Sequence, residues 1–312
     1  MSKPQVLLTR RIPSSALAAL EAGCDLDRND GGALSPEDLM ARVRGKDGLV
    51  CLLTDAITAE VIDAAGSLKV IANVAVGYDN IDVPAARARG IVVTNTPDVL
   101  TEATADLTWT LIMDITRRVS EGDRLIRRGA WKGWALDFML GTELRGKQLG
   151  IIGYGRIGRA VAARAAAFGL RMVYADVQAV AGGETIPVDR LLATSDIVSI
   201  HCPLTPETMH LINQASLARM KRSAYLINTS RGPVVDEAAL AWALKNRIIS
   251  GAALDVYEEE PKVHPDLLPL ENVVLAPHLG SATTETRTAM ADLAVRNCLA
   301  VLSGEPALTP IP

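Results

Sequence analysis

Residues 147–176 constrain the fold of this chain more than any other stretch of the sequence. An apolar run at 148–152 predicts a buried strand, and Gly-Tyr-Gly-Arg-Ile-Gly follows at 153–158. An alanine-rich helical stretch and a second apolar run come next, and that run ends on Asp176. This order of strand, glycine turn, helix, strand and acid predicts a dinucleotide-binding unit, in which the carboxylate accepts hydrogen bonds from an adenosine ribose.

Each glycine of this turn has its own expected role. Gly153 permits the tight turn, Gly155 lets the backbone approach a pyrophosphate, and Gly158 lets the helix pack closely on the strand. Arg156 and Ile157 lie at the start of the helix, where free N–H groups and the positive end of the helix dipole face the phosphates.

The composition, rich in Ala, Val, Ile and Leu and poor in aromatic residues, is that of a soluble α/β protein. At 312 residues the chain exceeds one typical domain, and its net charge of −4 comes from interspersed acids and bases. That balance argues against nucleic acid or a membrane surface as a partner. The four cysteines and four histidines are dispersed without metal-ligand spacing, and no signal peptide or apolar run of roughly 20 residues is present. We therefore expect a cytoplasmic protein without a metal site.

Strand and helix patterns alternate along the chain, which indicates parallel sheets. Before residue 98, strands are predicted at 5–8, 49–53, 70–74 and 91–93, and helices at 14–22, 36–43, 58–65 and 83–88. After residue 147, strands are predicted at 148–152, 171–174, 197–201, 224–228, 252–255 and 273–276.

Two helical stretches organise these halves into domains. Residues 98–128 predict one long helix that bridges the two α/β sets. The last helix, 283–302, comes too late for the second sheet, so we expect it to return to the first domain. The predicted domains are 1–98 with 285–312, and 99–284.

An aromatic and apolar cluster follows the long helix. Trp131, Trp134, Phe138 and Met139 lie in a segment without helical or strand periodicity. Two interpretations remain open: a loop packed on the bridging helix, or an arm buried on a second subunit.

Polar side chains follow three predicted strands of the second half, at the point where each strand ends. Arg231 lies in the loop after the fourth strand, Asp255 ends the fifth, and His278 follows the sixth. Because the carboxyl ends of parallel strands share one edge of a sheet, we expect these side chains on the rim that also carries the glycine turn.

These residue types suit the reduction of a 2-oxo acid. Nicotinamide supplies a hydride, histidine suits proton transfer near neutral pH, and arginine matches the geometry of a carboxylate. A carboxylate beside the imidazole would fix its tautomer and favour the imidazolium. Glu258, Glu259 and Glu260 all follow the fifth strand, and the residue pattern alone leaves open which of them is that partner.

A further turn follows a strand of the first half. Residues 73–80, Asn-Val-Ala-Val-Gly-Tyr-Asp-Asn, come directly after the predicted strand at 70–74. Backbone N–H groups near Gly77 could hold a small anion there. From spacing alone, a plain strand-to-helix loop remains the alternative.

Taken together, these segments resemble the D-isomer-specific 2-hydroxyacid dehydrogenases, and within that family the glyoxylate/hydroxypyruvate reductases. The resemblance covers nearly the whole chain. Its motifs are NVAVGYDNID (73–82), VTNTPDVLTEATADL (93–107), LGIIGYGRIG (149–158), INTSRGPVVDE (227–237), ALDVYEEEP (253–261) and PHLGSAT (277–283).

The resemblance implies an α/β fold of two Rossmann-like domains with parallel sheets, the active site in the cleft between them, and usually a homodimer. The discontinuous domain would bind the substrate and the other would bind NAD. It implies that Arg231 binds and polarises the substrate, that His278 is the acid/base, and that Glu260, directly before the proline, pairs with His278. The Val76 and Gly77 backbone groups would hold the substrate carboxylate.

The resemblance also places Thr229, Asp255 and Gly280 among the cofactor contacts. NAD(H) is the favoured cofactor, with NADP(H) as the alternative. Members of the family that use NADP commonly have Arg or Ser directly after the second strand, whereas Val177 and Gln178 follow Asp176 here. The Asp176 carboxylate would repel a 2′-phosphate.

The sequence therefore predicts an oxidoreductase that reduces a small 2-oxo acid, glyoxylate or hydroxypyruvate, to the (D)-2-hydroxy acid with NAD(P)H. One alternative is a dehydrogenase for another acid, such as 3-phosphoglycerate or a bulkier hydrophobic 2-oxo acid. The other is an NAD-sensing binding protein like the corepressors of the same superfamily, which the balanced charge disfavours.

Overall fold

The computed structural model describes residues 3–177 and 184–312. The chain divides into two compact units, the first made of Met1–Leu100 with Ala282–Pro312 and the second of Thr101–Ser281. Each unit has its own parallel sheet with helices around it, so the predicted fold class of two parallel-sheet α/β domains is confirmed.

The first unit is built on a five-stranded parallel sheet in the order β2-β1-β3-β4-β5. The strands are β1 (Gln5–Leu8), β2 (Asp25–Arg28), β3 (Gly48–Cys51), β4 (Val70–Asn73) and β5 (Val92–Thr94). The helices between them are α1 (Ser14–Gly23), α2 (Pro36–Val43), α3 (Ala59–Ala65) and α4 (Val83–Ala88).

Strand β2 is the one element of this unit that the sequence pattern did not predict. Its residues, Asp-Leu-Asp-Arg, are mostly polar and none of them is buried. It lies at the edge of the sheet and pairs only with β1, so it needs no continuous apolar run. The central strands are mostly apolar because both of their faces are covered: Val6 and Leu8 enter one core, and Leu7 enters another.

The second unit is built on a seven-stranded parallel sheet in the order β12-β11-β10-β9-β6-β7-β8. Its strands are β6 (Gln148–Ile152), β7 (Arg171–Ala175), β8 (Glu184–Thr185), β9 (Ile197–Ile200), β10 (Tyr225–Asn228), β11 (Gly251–Leu254) and β12 (Val273–Leu275). Six of these coincide with the predicted strands, and the two-residue β8 is an addition at the edge.

The prediction of one long helix over 98–128 was wrong. Two helices occupy this stretch, α5 (Thr101–Arg117) and α6 (Val119–Arg127). Arg118 between them has a left-handed backbone with φ 59°, which ends the first helix. The Asp114 carboxylate accepts a hydrogen bond from the Ser120 amide at 2.7 Å, so it satisfies a free N–H at the start of the second helix.

The remaining α-helices divide between the two units. In the second unit they are α7 (Arg156–Ala165), α8 (Val188–Thr194), α9 (Gln214–Arg219) and α10 (Glu237–Lys245). The last helix, α11 (Thr284–Leu302), belongs to the first unit, where Ala291, Ala294 and Cys298 enter the core beside β1, β3 and β4. No helix within the described ranges is long and apolar enough to cross a membrane.

Candidate active site

The glycine turn between β6 and α7 has no room for a side chain at two positions. Gly153 has φ 90°, and a Cβ atom there would lie 2.4 Å from the backbone nitrogen of Cys202. A Cβ atom at Gly158 would lie 2.2 Å from the Gly153 carbonyl oxygen. The turn and the first turn of α7 are therefore packed against each other and against the neighbouring strand end.

Gly155 differs from the other two glycines because no protein contact explains it. No described protein atom lies within 4 Å of the position where its Cβ would stand, and its φ of −72° suits any residue. It is exposed together with Arg156, and Ile157 is half-buried. The open space directly in front of the start of α7 fits a pyrophosphate held close to the backbone, so this turn fits a dinucleotide.

Asp176 follows β7 and lies beside the glycine turn. Its Oδ2 atom accepts a hydrogen bond from the Tyr154 amide at 2.6 Å, and the residue is half-buried. The Tyr154 ring stacks on Tyr174 with 4.2 Å between the ring centres, which fixes the turn on the strand. The carboxylate is thus at the end of the second strand, as the dinucleotide-binding pattern requires. Gln178 lies outside the described residues.

The Arg231 loop follows β10 and folds around a buried amide side chain. The Asn228 Nδ2 atom donates to the Arg231 carbonyl at 2.9 Å, and its Oδ1 atom accepts from the Ser230 amide at 3.1 Å. A Cβ atom at Gly232 would lie only 1.8 Å from the Tyr257 carbonyl carbon. Glycine at 232 therefore lets the loop that carries Arg231 lie directly on the backbone that follows β11.

His278 and Glu260 form a close pair in the second unit. The His278 Nδ1 atom lies 2.9 Å from Glu260 Oε2, and Glu260 Oε1 accepts a hydrogen bond from the Tyr257 amide at 3.1 Å. Each of the two side chains is 28% exposed, so the pair remains accessible to a ligand. With Nδ1 facing the carboxylate, Nε2 is the ring nitrogen left for a substrate.

The environment of Glu260 keeps its carboxylate ionised. Burial raises the pKa of Glu260, but the hydrogen bond and charge of His278, with the charge of Arg231, outweigh burial and hold the pKa below its usual range. The charge of Arg231 thus acts on the same carboxylate that His278 contacts.

The structure distinguishes the three neighbouring glutamates. Glu258 accepts a hydrogen bond from the Glu237 amide at 2.6 Å and lies 3.0 Å from the His210 ring. Glu259 has a side chain that is 77% exposed, near only Lys262. Glu260 alone of the three hydrogen-bonds to the His278 ring.

Asp255 holds the turn that presents His278. It is 1% exposed, and its two carboxylate oxygens accept hydrogen bonds from the amides of Leu279 at 2.6 Å and Gly280 at 2.8 Å. Burial raises the pKa of Asp255, while the Leu279 amide and the charge of His278 act in the opposite direction. The turn needs this support because His278 has a left-handed backbone with φ 53°.

Two threonines of α5 join the rim of the second unit, and the sequence analysis missed both. The Thr104 hydroxyl donates to the Gly280 carbonyl at 3.1 Å, and the Thr108 hydroxyl lies 3.0 Å from that of the buried Thr229. Their spacing of four residues, which puts them on one face of a helix, was the only signal available.

The loop after β4 in the first unit contains backbone amides that donate to no described acceptor. Val76 and Gly77 are half-buried, and the carbonyl oxygens of residues 75–77 all accept hydrogen bonds from the protein. The amides of Val76, Gly77 and Tyr78 donate to no acceptor among the residues that the structure describes. Adjacent amides without protein acceptors form a concavity suited to an anion.

The described residues contain no group of three or more His, Cys, Asp or Glu side chains that could hold a metal ion. The candidate site residues of the second unit instead include one arginine, one histidine–carboxylate pair and a glycine turn. Such a set can bind an acid and a dinucleotide and can move a proton.

Comparison with known proteins identifies the family. Residues 109–280 match the family described as D-isomer specific 2-hydroxyacid dehydrogenase, NAD binding domain. A glyoxylate reductase from Thermofilum pendens is 51% identical to the chain, over 99% of this chain and 95% of the relative.

Solved structures agree with this assignment. A protein from Thermus thermophilus superimposes with a TM-score of 0.94 at 47% identity, covering 99% of this chain and 100% of that one. An NADPH-dependent glyoxylate/hydroxypyruvate reductase from Sinorhizobium meliloti, in complex with NADP and malonate, superimposes with a TM-score of 0.89 at 36% identity. The superposition covers 99% of this chain and 97% of that one. The resemblance predicted from the motifs is confirmed: the chain belongs to the D-isomer-specific 2-hydroxyacid dehydrogenases, a family of oxidoreductases, and carries their NAD-binding domain.

Proposed function

We propose that this enzyme reduces a small 2-oxo acid, glyoxylate or hydroxypyruvate, to the (D)-2-hydroxy acid. The observation that carries the proposal is the His278–Glu260 pair, with the charge of Arg231 close to it. The names of the relatives, glyoxylate reductase and glyoxylate/hydroxypyruvate reductase, support the choice of substrate.

The proposed chemistry assigns one task to each of these side chains. The Arg231 guanidinium binds the acid and polarises its 2-oxo group. His278 donates a proton from Nε2 to the oxygen that becomes the hydroxyl, and the ionised Glu260 stabilises the imidazolium before the transfer. The amides of Val76 and Gly77 bind the substrate carboxylate. NADH, when bound, supplies the hydride.

We propose NADH as the preferred cofactor, with NADPH as a poorer alternative. The Asp176 carboxylate is held beside the glycine turn by the Tyr154 amide, where it would accept hydrogen bonds from a ribose and repel a 2′-phosphate. The Sinorhizobium relative is NADPH-dependent, so this preference is not shared by every similar protein.

The first test is steady-state oxidation of NADH and NADPH with glyoxylate, hydroxypyruvate, pyruvate and phenylpyruvate. We expect fast turnover of the first two acids and a preference for NADH. A preference for phenylpyruvate would contradict the assigned substrate class, and a preference for NADPH would contradict only the argument from Asp176.

Variants then test the assigned residues. Arg231→Ala should lower kcat/KM for the 2-oxo acid by about 10²-fold or more while the Kd for NADH, measured by fluorescence titration, stays nearly unchanged. Glu260→Gln should lower kcat about 10-fold or more because the imidazolium loses its anionic partner. Glu259→Gln is the matched control, since that side chain is exposed and should leave turnover at the wild-type level.

We also propose that a second copy of the chain covers the surface of residues 119–140. This segment exposes large apolar side chains, and these are Val119, Ile126, Trp131, Trp134, Leu136, Phe138 and Leu140. Trp134 and Leu136 are more than four-fifths exposed, and a concentration of such side chains on one segment is typical of a protein interface.

Light scattering during size-exclusion chromatography tests the dimer. The measured mass of the wild-type protein should be twice that of one chain. The measured mass of the double variant Trp134→Ser, Leu136→Ser should fall towards that of the monomer. The matched control Trp242→Ser, an exposed tryptophan on α10, should keep the wild-type mass. A monomeric wild-type protein would contradict the proposal.

A further inference from the structure

The loop that exposes the Val76 and Gly77 amides takes its shape from hydrogen bonds to its carbonyl groups. The Thr96 amide donates to the Ala75 carbonyl at 2.8 Å. The Asn95 side-chain amide donates to the Val76 carbonyl at 2.8 Å. These two contacts come from residues that directly follow β5, the neighbouring strand.

Because the peptide bond is planar, these contacts also fix the directions of the Val76 and Gly77 N–H groups. In a trans peptide the C=O of one residue and the N–H of the next point in opposite directions in the same plane. The bond from Asn95 to the Val76 carbonyl therefore orients the Gly77 N–H, and the bond from Thr96 to the Ala75 carbonyl orients the Val76 N–H. Both N–H groups therefore point away from the donors at Asn95 and Thr96, and neither donates to an acceptor among the described residues.

Asn95 is itself held by the C-terminal segment. The Thr309 hydroxyl donates to the Asn95 carbonyl at 2.6 Å, and the Asn95 amide donates to the Thr309 carbonyl at 3.3 Å. Ile311 extends the pairing, with its amide donating to the Val93 carbonyl at 2.8 Å. The last residues thus run antiparallel to β5 along the edge of the first sheet.

A fully buried asparagine of α11 anchors this segment. The Asn297 Oδ1 atom accepts hydrogen bonds from the Leu308 amide at 2.9 Å and the Thr309 amide at 3.0 Å. Its Nδ2 atom donates to the Thr309 hydroxyl at 2.8 Å and to the Leu293 carbonyl at 3.0 Å. All hydrogen-bonding capacity of this buried side chain is used, which makes the anchor rigid.

We infer that Asn95 is a positioning residue for substrate binding, and that Asn297 and the C-terminal segment hold Asn95 in place for this purpose. The inference rests on the proposed function, in which the Val76 and Gly77 amides bind the carboxylate of the 2-oxo acid. Asn95 does not touch the substrate; it acts on the Gly77 N–H through the Val76 carbonyl.

The test compares substrate binding in uncharged variants. Asn95→Ala should raise the KM for glyoxylate and the inhibition constant of oxalate about tenfold, the effect of one lost hydrogen bond on binding. kcat at saturating glyoxylate should stay within about threefold, and the Kd for NADH should not change, because the glycine turn is unaffected. Thr309→Val, which keeps the side-chain shape, should raise the KM for glyoxylate and the inhibition constant of oxalate by about threefold.

Asn29→Ala is the matched control. The Asn29 side chain also donates to backbone carbonyls in the first unit, those of Thr9 and Gly32 at 2.9 Å, but it follows β2 at the other edge of the sheet. It should leave both constants at the wild-type value. Because KM does not depend on the fraction of folded enzyme, general destabilisation cannot imitate the expected result.

Two outcomes would overturn the inference. One is an Asn95→Ala enzyme whose KM and oxalate inhibition constant stay within twofold of wild type, and the other is an equal rise of both constants in Asn29→Ala. In either case, turnover of glyoxylate by the wild-type enzyme in the same experiment would leave the proposed function intact. A wild-type enzyme that reduces no 2-oxo acid would overturn both.

Discussion

The two units each contain a turn suited to an anion, and the turns are built by different means. In the second unit, the turn at 153–158 is shaped by steric contact, because side chains at Gly153 and Gly158 would meet backbone atoms at 2.4 Å or less. In the first unit, the turn at 75–78 is shaped by hydrogen bonds from Asn73, Asn95 and Thr96 to its carbonyl groups.

The difference shows how visible a binding turn is in a sequence. A sterically shaped turn requires glycine at defined spacing, so it leaves a local pattern. A turn shaped by hydrogen bonds requires only that donors reach its carbonyl groups, and two of the three donors, Asn95 and Thr96, come from the end of the neighbouring strand β5. The steric turn should also be the less tolerant of substitution, since a backbone clash cannot relax as a lost hydrogen bond can.

The largest effect is expected from Gly153→Ala. The new methyl group would clash with the backbone of Cys202 and would strain a residue at φ 90°, together costing about 3 kcal/mol or more. We expect a clear fall in the thermal unfolding midpoint and a Kd for NADH raised more than about 10²-fold. A variant with wild-type stability and NADH affinity would show that steric contact does not shape the turn at 153–158.

Gly155→Ala should separate cofactor binding from folding. No described protein atom lies within 4 Å of the added methyl group, so the unfolding midpoint should stay near that of the wild type. The methyl group would occupy space in front of α7, and we expect the Kd for NADH to rise about 30-fold. Unchanged NADH affinity would show that the pyrophosphate does not approach this residue.

Asn73→Leu should affect the turn at 75–78, so that glyoxylate binding and stability change and NADH binding does not. This substitution removes the donor to the Gly77 carbonyl, 3.0 Å away, from a fully buried position. We expect a loss of about 2 kcal/mol in the free energy of unfolding and a KM for glyoxylate raised about tenfold. NADH affinity should not change, and a rise in the Kd for NADH would contradict the separate construction of the two turns.

The smallest effect is expected from Asp176→Asn. The amide oxygen can still accept the hydrogen bond from the Tyr154 amide, so the shape of the turn is kept while the charge is lost. We expect the ratio of kcat/KM for NADPH to that for NADH to rise about fivefold, because a half-buried charge no longer repels the 2′-phosphate. A constant ratio would show that Asp176 does not discriminate between the cofactors.

The sequence predicted most of the fold because its signals are local. The apolar runs of the central strands coincide with observed strands, and each run depends on a few neighbouring residues. The failures were the edge strands β2 and β8 and the break at Arg118, because edge pairing and a left-handed residue leave little trace in periodicity.

The candidate site divides in the same way. Arg231, Asp255 and His278 were found because each follows an apolar strand and parallel strands end at one edge. The residue pattern did not choose among Glu258, Glu259 and Glu260, since adjacent residues in an irregular segment can face in any direction. The structure distinguishes them because Glu258 bonds to the start of α10 and only Glu260 reaches His278.

By itself, the sequence determined the dinucleotide-binding turn, the alternation of strands and helices, and the residue types at the strand ends. It could do so because these features depend on short-range sterics and on burial of apolar runs. Tertiary structure alone decided the partner of His278 and the chain of contacts from Asn297 through Thr309 and Asn95 to Val76. The contact between Thr309 and Asn95 joins residues 214 positions apart, and the return of α11 to the first sheet brings them within hydrogen-bonding distance.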